Sequence, residues 1–290
     1  MAQRIVIITG CSTGIGLDTA VYLAKNVDKK YKVYACMRNL GKKGGLVEKA
    51  GDCVDKTLFV LEMDVKSETS VNAAIKHVLD TDGKVDVLIN NAGIGCMGVL
   101  EHQKSDTIAN VYETNVYGVI HGIRAVLPLM KKQKSGHIIT VSSIGGLFGV
   151  PFNAVYSSSK FAVFGLSESL APELAQFNIN VSLIEPGPVA TEFGASLQSK
   201  GIDGLEDSDE KTKGLINKMI QTFQKDLSER RQTGDDVAKC ILKAMEDEKP
   251  HLHYLTSTAY EEVVKNKYVD ITGDSMVQAA IQRFFSSPAK

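Results

Sequence analysis
The sequence predicts an α/β fold: a doubly wound, mainly parallel sheet of about seven strands with helices on both faces. Two observations carry this. Short apolar runs alternate with longer stretches of helical periodicity over most of the chain. Alternation at that spacing marks strands joined by helical crossovers, with the sheet inside and the helices outside. In addition, a glycine-rich turn, Gly10-Cys11-Ser12-Thr13-Gly14-Ile15-Gly16, separates the first apolar run from the first helical stretch.

The elements follow in order. Residues 4–9 (RIVIIT) are a short buried strand, and 15–26 carry helical periodicity. Residues 32–37 (KVYACM) and 57–63 (TLFVLEM) are the second and third strands. A helix is predicted over 67–80 with Ser67 as its N-cap, since a serine hydroxyl can accept from a free N–H of the first turn. Residues 85–90 (VDVLIN) are strand four, and one long helix is predicted over 105–132. Residues 137–143 (HIITVSS) are strand five, and a second long helix holds Tyr156 and runs to about Phe177. Residues 180–185 (NVSLIE) are strand six, and 252–255 a weaker seventh. Right-handed crossovers between such strands make the Rossmann arrangement the natural one. Residues 194–233 break the alternation with a polar stretch rich in Lys, Asp, Ser and Gly. An insertion of that length in a compact domain is expected to be a functional lid. With no linker, repeat or low-complexity tract before residue 190, residues 1–290 are expected to form one domain.

With 290 residues, 43% of them hydrophobic, the chain can bury a substantial core. A net charge of −1 gives no sign of a nucleic-acid surface. The basic cluster at 225–231 (KDLSERR) includes Asp226 and Glu229 and reads as a solvated helix face. No apolar run reaches the ~18 residues of a membrane span, and the N-terminus enters a strand by Ile5 without the pattern of a signal segment. Cys11, Cys36, Cys53, Cys96 and Cys240 show neither zinc spacing nor a disulfide framework. Reduced thiols in a cytoplasmic protein are expected. The histidines are scattered, His251 and His253 alternating as on a strand, and no metal site is expected.

The chemistry-bearing residues cluster at strand ends. Glycines at 10, 14 and 16 allow a tight turn and let a diphosphate approach main-chain N–H groups at the positive end of the following helix. Tyr156 and Lys160 stand four apart on a predicted helix, hence on one face, with Ser143 thirteen residues before the tyrosine. A phenol with pKa ~10 is a poor base near neutrality. An ammonium held close is expected to pull that value down and make the pair a tuned acid/base.

The spacing Gly-x-x-x-Gly-x-Gly, Asn90-Asn91-Ala92-Gly93 after strand four, the set Asn115, Ser143, Tyr156 and Lys160, and Pro186-Gly187-Pro188-Val189 with Thr191 together resemble the short-chain dehydrogenase/reductase family in its three-glycine form. The resemblance spans residues 4 to about 193. It implies a cofactor site at Gly10, Ser12, Thr13, Gly14, Ile15, Gly16, Asp64, Val65, Asn91, Ala92, Gly93, Tyr156, Lys160, Pro186, Gly187, Val189 and Thr191. It implies Tyr156 as proton donor to the developing alkoxide, Ser143 as its hydrogen-bonding partner, Lys160 on the nicotinamide ribose, and Asn115 as the anchor of a water relay to Lys160. Asp64 is also placed to cap the next helical turn.

Strand two ends Cys36-Met37-Arg38-Asn39, with no carboxylate for ribose hydroxyls. Arg38 instead offers a planar cation for a 2′-phosphate, with Ser12 near it, so NADP(H) is expected. Within the family the chain is similar to the branch that holds 17β-hydroxysteroid and all-trans-retinol dehydrogenases. That branch implies an elongated apolar substrate, a steroid or retinoid, in a cleft with few polar groups. Val150, Pro151, Phe152, Asn153, Pro188, Val189 and Phe193 are expected to line it beside Ser143 and Tyr156, with Met219, Ile220 and Phe223 closing it. The estradiol-handling pattern has a lid histidine and a glutamate near the C-terminal helix. Residues 194–233 contain no histidine and residues 279–285 no glutamate, which puts recognition of a phenolic ring in doubt. The resemblance also implies a homodimer through 105–132 and 153–177, and peripheral membrane association at most.

Overall fold
The computed structural model describes residues 3–194, 201–229, 231–270 and 272–285. Seven strands form one sheet: β1 (Arg4–Ile8), β2 (Tyr31–Met37), β3 (Leu58–Glu62), β4 (Val87–Asn90), β5 (Gly136–Val141), β6 (Ile179–Glu185) and β7 (His253–Leu255). Their order is β3-β2-β1-β4-β5-β6-β7, and every pair is parallel. The order reverses between β1 and β4, and a crevice at the carboxyl ends of the strands opens there.

Each strand is apolar on both sides because both faces are covered. Along β1, Val6 and Ile8 point into one core with α1 (Gly14–Ala24) and α8 (Gly234–Glu246). Ile5 and Ile7 point into the other, with α3 (Glu68–Asp82), α5 (Gly118–Gln133) and α6 (Ala154–Ala175). Full burial of each such side chain contributes roughly 1.5–3 kcal/mol.

The sequence places the strands well and misses several features of the helices, α8 among them; three others stand out. The first is α2 (Gly44–Ala50), a short helix with no strong periodicity. The second is the long helix expected over 105–132, which is interrupted: α4 (Ser105–Tyr112) passes into a π-helical turn over Glu113–Tyr117 before α5 begins. At Gly118 a Cβ would lie 2.9 Å from Val65 Cβ, and at Gly122 one would lie 2.6 Å from Asn90 Oδ1. This face of α5 therefore packs backbone-close on its neighbours.

The third feature lies in the polar stretch at 194–233. Residues 195–200 fall outside the described residues, but Glu210–Glu229 form a 20-residue helix, α7. Ile216, Met219, Ile220 and Phe223 recur at helical spacing, and Ile216 and Met219 are fully buried. The apolar stripe is narrow and surrounded by charge, so composition hides it. Asp226 does not belong to a solvated face as the sequence suggests: it pairs with Arg283 of the C-terminal helix. Two further helices, α9 (Glu261–Val269) and α10 (Asp274–Phe285), follow β7. Among the described residues no helix is long and apolar enough to cross a membrane.

Candidate active site
The glycine turn packs directly on the end of β4. A Cβ at Gly10 (φ +73°) would lie 2.7 Å from Ala92 Cα, and one at Gly16 would lie 2.3 Å from Asn91 Nδ2 and 2.5 Å from Gly10 O. Asn91 Nδ2 donates to Thr9 O at 2.8 Å and to Gly10 O at 3.2 Å. Cys11 N donates to Cys36 O at 2.9 Å, which sets Ser12 toward the end of β2. Arg38 is exposed at that end.

The first turn of α1 is open to an anion. Its N-cap, Thr13, makes no side-chain cap bond, and no acidic residue lies in the turn. In contrast, Ser67 caps α3 by accepting from Ser70 N, and Thr233 caps α8 through a capping box with Asp236. The free N–H groups of α1, beside glycines that leave room for close approach, fit a dinucleotide diphosphate. Asp64 does not cap α3; its Oδ1 accepts from Lys66 N at 3.0 Å. Val65 is buried, and its carbonyl meets His121 Nδ1 at 2.9 Å.

Thr9 is a structural hinge that the sequence reading passes over. Its Oγ1 accepts from both Asn91 N and Ala92 N at 3.0 Å, which locks the β1 turn to the β4 turn. Thr9→Val keeps the shape but leaves two part-buried donors unpaired, a loss of about 1–3 kcal/mol. Denaturant melts should show that loss together with weaker dinucleotide binding; unchanged stability would mean the hydroxyl is dispensable.

The residues expected to react come from β5, α6 and the π turn. Ser143 lies two residues past the end of β5, and its Oγ accepts from Gly145 N at 3.0 Å. A Cβ at Gly145 would lie 3.4 Å from both Ser143 Oγ and Tyr156 Cε1. Tyr156 and Lys160 share one face of α6, with Lys160 Nζ 5.8 Å from the Tyr156 ring centre. Lys160 is 6% exposed, and burial pulls its pKa down to about 8. Its Nζ donates to Val141 O at 2.9 Å. A Cβ at Gly93 would lie 3.6 Å from Lys160 Nζ and 3.4 Å from Asn115 Oδ1, so the three residues converge.

One expectation changes here. The Tyr156 pKa is raised, not lowered: burial drives it up and the hydrogen bond with Ser143 only opposes that. The phenol therefore holds its proton at neutral pH. Asn115 is buried close to this pair. Its Oδ1 accepts from Ile94 N at 2.8 Å, and its Nδ2 donates to Ile94 O at 2.9 Å and to Ser159 Oγ at 3.0 Å. Ser159, also missed, is thus the link from Asn115 to α6.

The loop after β6 closes over this crevice. Ile144 N donates to Pro186 O at 3.0 Å, Gln232 N to Pro188 O at 3.1 Å and Ala190 N to Gln232 O at 2.8 Å. Thr191 reaches the glycine turn, since a Cβ at Gly14 would lie 3.3 Å from Thr191 Cβ. Phe193 is 38% exposed, with its ring 5.9 Å from that of Tyr156. The expected apolar lining is brought together only in part. Val150 packs beside Leu147, Phe148 and Tyr260. Phe152 stands at φ +57°, with its ring 6.3 Å from that of Phe285. Asn153 is buried at the start of α6 and donates Nδ2 to Pro151 O at 3.2 Å, so its amide is spent on its own loop.

Glu185, the last residue of β6, is buried and accepts from His253 Nδ1 at 2.8 Å. That bond raises the His253 pKa. A raised folded-state pKa stabilises fully below the unfolded value near 6.5, and the gain is lost as pH rises through the folded value. The gap in Tm between the native protein and His253→Gln should therefore shrink from about pH 6 to about pH 9. A constant gap would mean the imidazolium charge contributes nothing. Among the described residues no cluster of three or more His, Cys, Asp or Glu is placed to hold a metal ion.

The comparisons with known proteins agree with this geometry. The family model for short chain dehydrogenase matches residues 4–201. Retinol dehydrogenase 8 of Bos taurus is 42% identical over 289 residues, covering 99% of this chain and 92% of that protein. 17-beta-hydroxysteroid dehydrogenase type 1 of Homo sapiens is 39% identical over 293 residues, covering 100% and 89%. A Burkholderia phymatum short chain dehydrogenase/reductase solved in complex with NAD has a TM-score of 0.78 at 25% identity, covering 99% of this chain and 98% of that one. ElxO with NADP bound has a TM-score of 0.73 at 27% identity, covering 90% and 100%. Sequence, sheet order and the converging residues at the strand ends lead to one conclusion: the chain belongs to the short-chain dehydrogenase family and is an oxidoreductase.

Proposed function
We propose that the chain is an NADP(H)-dependent enzyme that interconverts a keto or aldehyde group with a hydroxyl on an elongated apolar substrate, with reduction of a 17-ketosteroid as the first reading. The observation that carries it is Tyr156 hydrogen-bonded with Ser143, with Lys160 on the same helix face and Phe193 beside the tyrosine ring. When bound, the cofactor supplies or accepts the hydride. Tyr156 gives its proton to the carbonyl oxygen and Ser143 orients that oxygen. Lys160 holds the ribose, and Asn115 fixes the Ile94 backbone and Ser159 around it. The open first turn of α1, the backbones of Gly10, Gly14 and Gly16, and Asn91, Ala92 and Gly93 would hold the diphosphate and its neighbouring ribose.

Arg38 favours NADP(H): it is an exposed cation at the end of β2, where no acidic residue stands. A clear preference for NADH in kcat/KM would overturn this. Reduction of all-trans-retinal is the second reading. It is favoured by the 42% identity to a retinol dehydrogenase and by the lid, which lacks a histidine for a phenolic ring. The deciding assay compares estrone, androstenedione and all-trans-retinal side by side with NADPH. Turnover of retinal alone selects the second reading. No turnover of any carbonyl in a broad panel would instead favour a non-catalytic NADP(H)-binding regulator. Free thiols at all five cysteines fit a reducing, cytoplasmic setting. We also read the chain as a homodimer through α4–α5 and α6, with Tyr117 exposed on the π turn; a monomer by light scattering would refute that.

A further inference from the structure
The lid helix, the C-terminal helix and the loop at 186–191 are joined by an unbroken run of contacts. Asp226 on α7 accepts from Arg283 Nη2 on α10, and the two side chains are only 15% and 25% exposed. Lys218 Nζ donates to Phe285 O at 3.2 Å and Thr222 Oγ1 to Arg283 O at 3.4 Å, which fixes the two helices in register. The Arg283 guanidinium lies 5.7 Å from the centre of the Tyr260 ring, within cation–π range. Tyr260 is buried, stacks with Phe148 at 6.4 Å and lies against Gly187, where a Cβ would come within 2.7 Å of its Cε2. Just past this C-terminal end of α7 lies Gln232. Its backbone pairs with Pro188 and Ala190, while its side chain donates Nε2 to Thr256 O at 2.7 Å. The loop is therefore held by two routes from the C-terminal half of the lid helix.

We propose that Arg283 is a positioning residue that couples seating of the lid helix to placement of the loop at 186–191, through Asp226 on one side and Tyr260 on the other. The proposal rests on the reading that this loop faces the nicotinamide. Asp226 and Arg283 are desolvated together, so loss of either leaves a charge without its partner and loosens both helices. The Tyr260 ring packs so close to Gly187 that a Cβ there would clash with it, so the loop backbone rests directly on the ring. Dinucleotide binding, which orders the loop, thus also favours the seated lid, and by linkage the seated lid favours dinucleotide binding.

The test needs no carbonyl substrate. Trypsin cleavage at the lysines of α7 is timed with and without saturating NADPH, and the binary NADPH dissociation constant is measured by cofactor fluorescence. In the native protein, NADPH should slow cleavage of α7 by about fivefold or more. Arg283→Met and Asp226→Asn should each abolish that protection and weaken NADPH binding by about fivefold, the reciprocal of the same coupling. Arg283→Lys, which keeps the charge but not the planar group over Tyr260, should restore slow basal cleavage yet leave little NADPH protection. Protection of the same size in Arg283→Met as in the native protein overturns the proposal, as does the absence of protection in a native protein that binds NADPH. Protection by NADH and not by NADPH sinks the cofactor assignment and leaves the coupling standing.

Discussion

Tyr156→Phe is expected to lower kcat by about 10²–10⁴-fold, the usual worth of a positioned proton donor. The substitution removes one oxygen and keeps the ring, so the contact with Phe193 at 5.9 Å survives, and Ser143 keeps its bond from Gly145 N. The fold and the dinucleotide cradle at residues 10–16 are untouched, and the NADPH dissociation constant should stay within about twofold, since the lost interaction forms only as charge develops on the substrate oxygen. Single-turnover reduction with enzyme in excess separates the chemical step from release. A variant that retains more than about a tenth of native activity would require another proton donor. The direction of the phenol's pKa sharpens the expectation. The raised pKa keeps Tyr156 protonated at neutral pH, which suits it to give a proton during reduction and leaves little phenolate to accept one during alcohol oxidation.

Gly16→Ala should be nearly as damaging, through geometry alone. The new methyl would lie 2.3 Å from Asn91 Nδ2 and 2.5 Å from Gly10 O. Neither neighbour is free to yield: Asn91 Nδ2 is committed to the carbonyls of Thr9 and Gly10, and Gly10 is held against Ala92. Overpacking of this kind costs about 1–3 kcal/mol, a Tm drop of several degrees. If the strain falls on the cradle, NADPH binding weakens by about ten- to a hundredfold. Gly44→Ala is the control, since a Cβ there meets nothing within 4 Å. If Gly16→Ala bound NADPH like the control, the close packing of the glycine turn on Asn91 would not matter for the cofactor.

The parts of this molecule that were legible in its sequence are those set by local pattern. All seven strands appear close to where apolar runs predict them, because a strand buried on both faces must be apolar throughout; β1 ends at Ile8, one residue before the predicted end. Tyr156 and Lys160 are legible because a helix repeats on a short period. Thr9 is not, since its role is to accept from two amides some eighty residues away. Neither is the environment of Asp226, whose partner Arg283 comes from the last helix. Helix α7 was legible in principle from Ile216, Met219, Ile220 and Phe223, but a four-residue stripe is easily lost among lysines and aspartates. The direction of the Tyr156 pKa depends on how deeply two side chains are buried together, which spacing cannot convey.

The π turn at 113–117 has a consequence for how this chain can change. A π turn holds one residue more than the α-helix around it requires. Deleting any one residue there would let α4 run straight into α5, regularise the hydrogen bonding and raise the intrinsic stability of the helix. The same deletion would rotate Asn115 about the helix axis by roughly a quarter-turn, away from Ile94 and Ser159. The surplus residue is what sets Asn115 in register with Ile94 and Ser159.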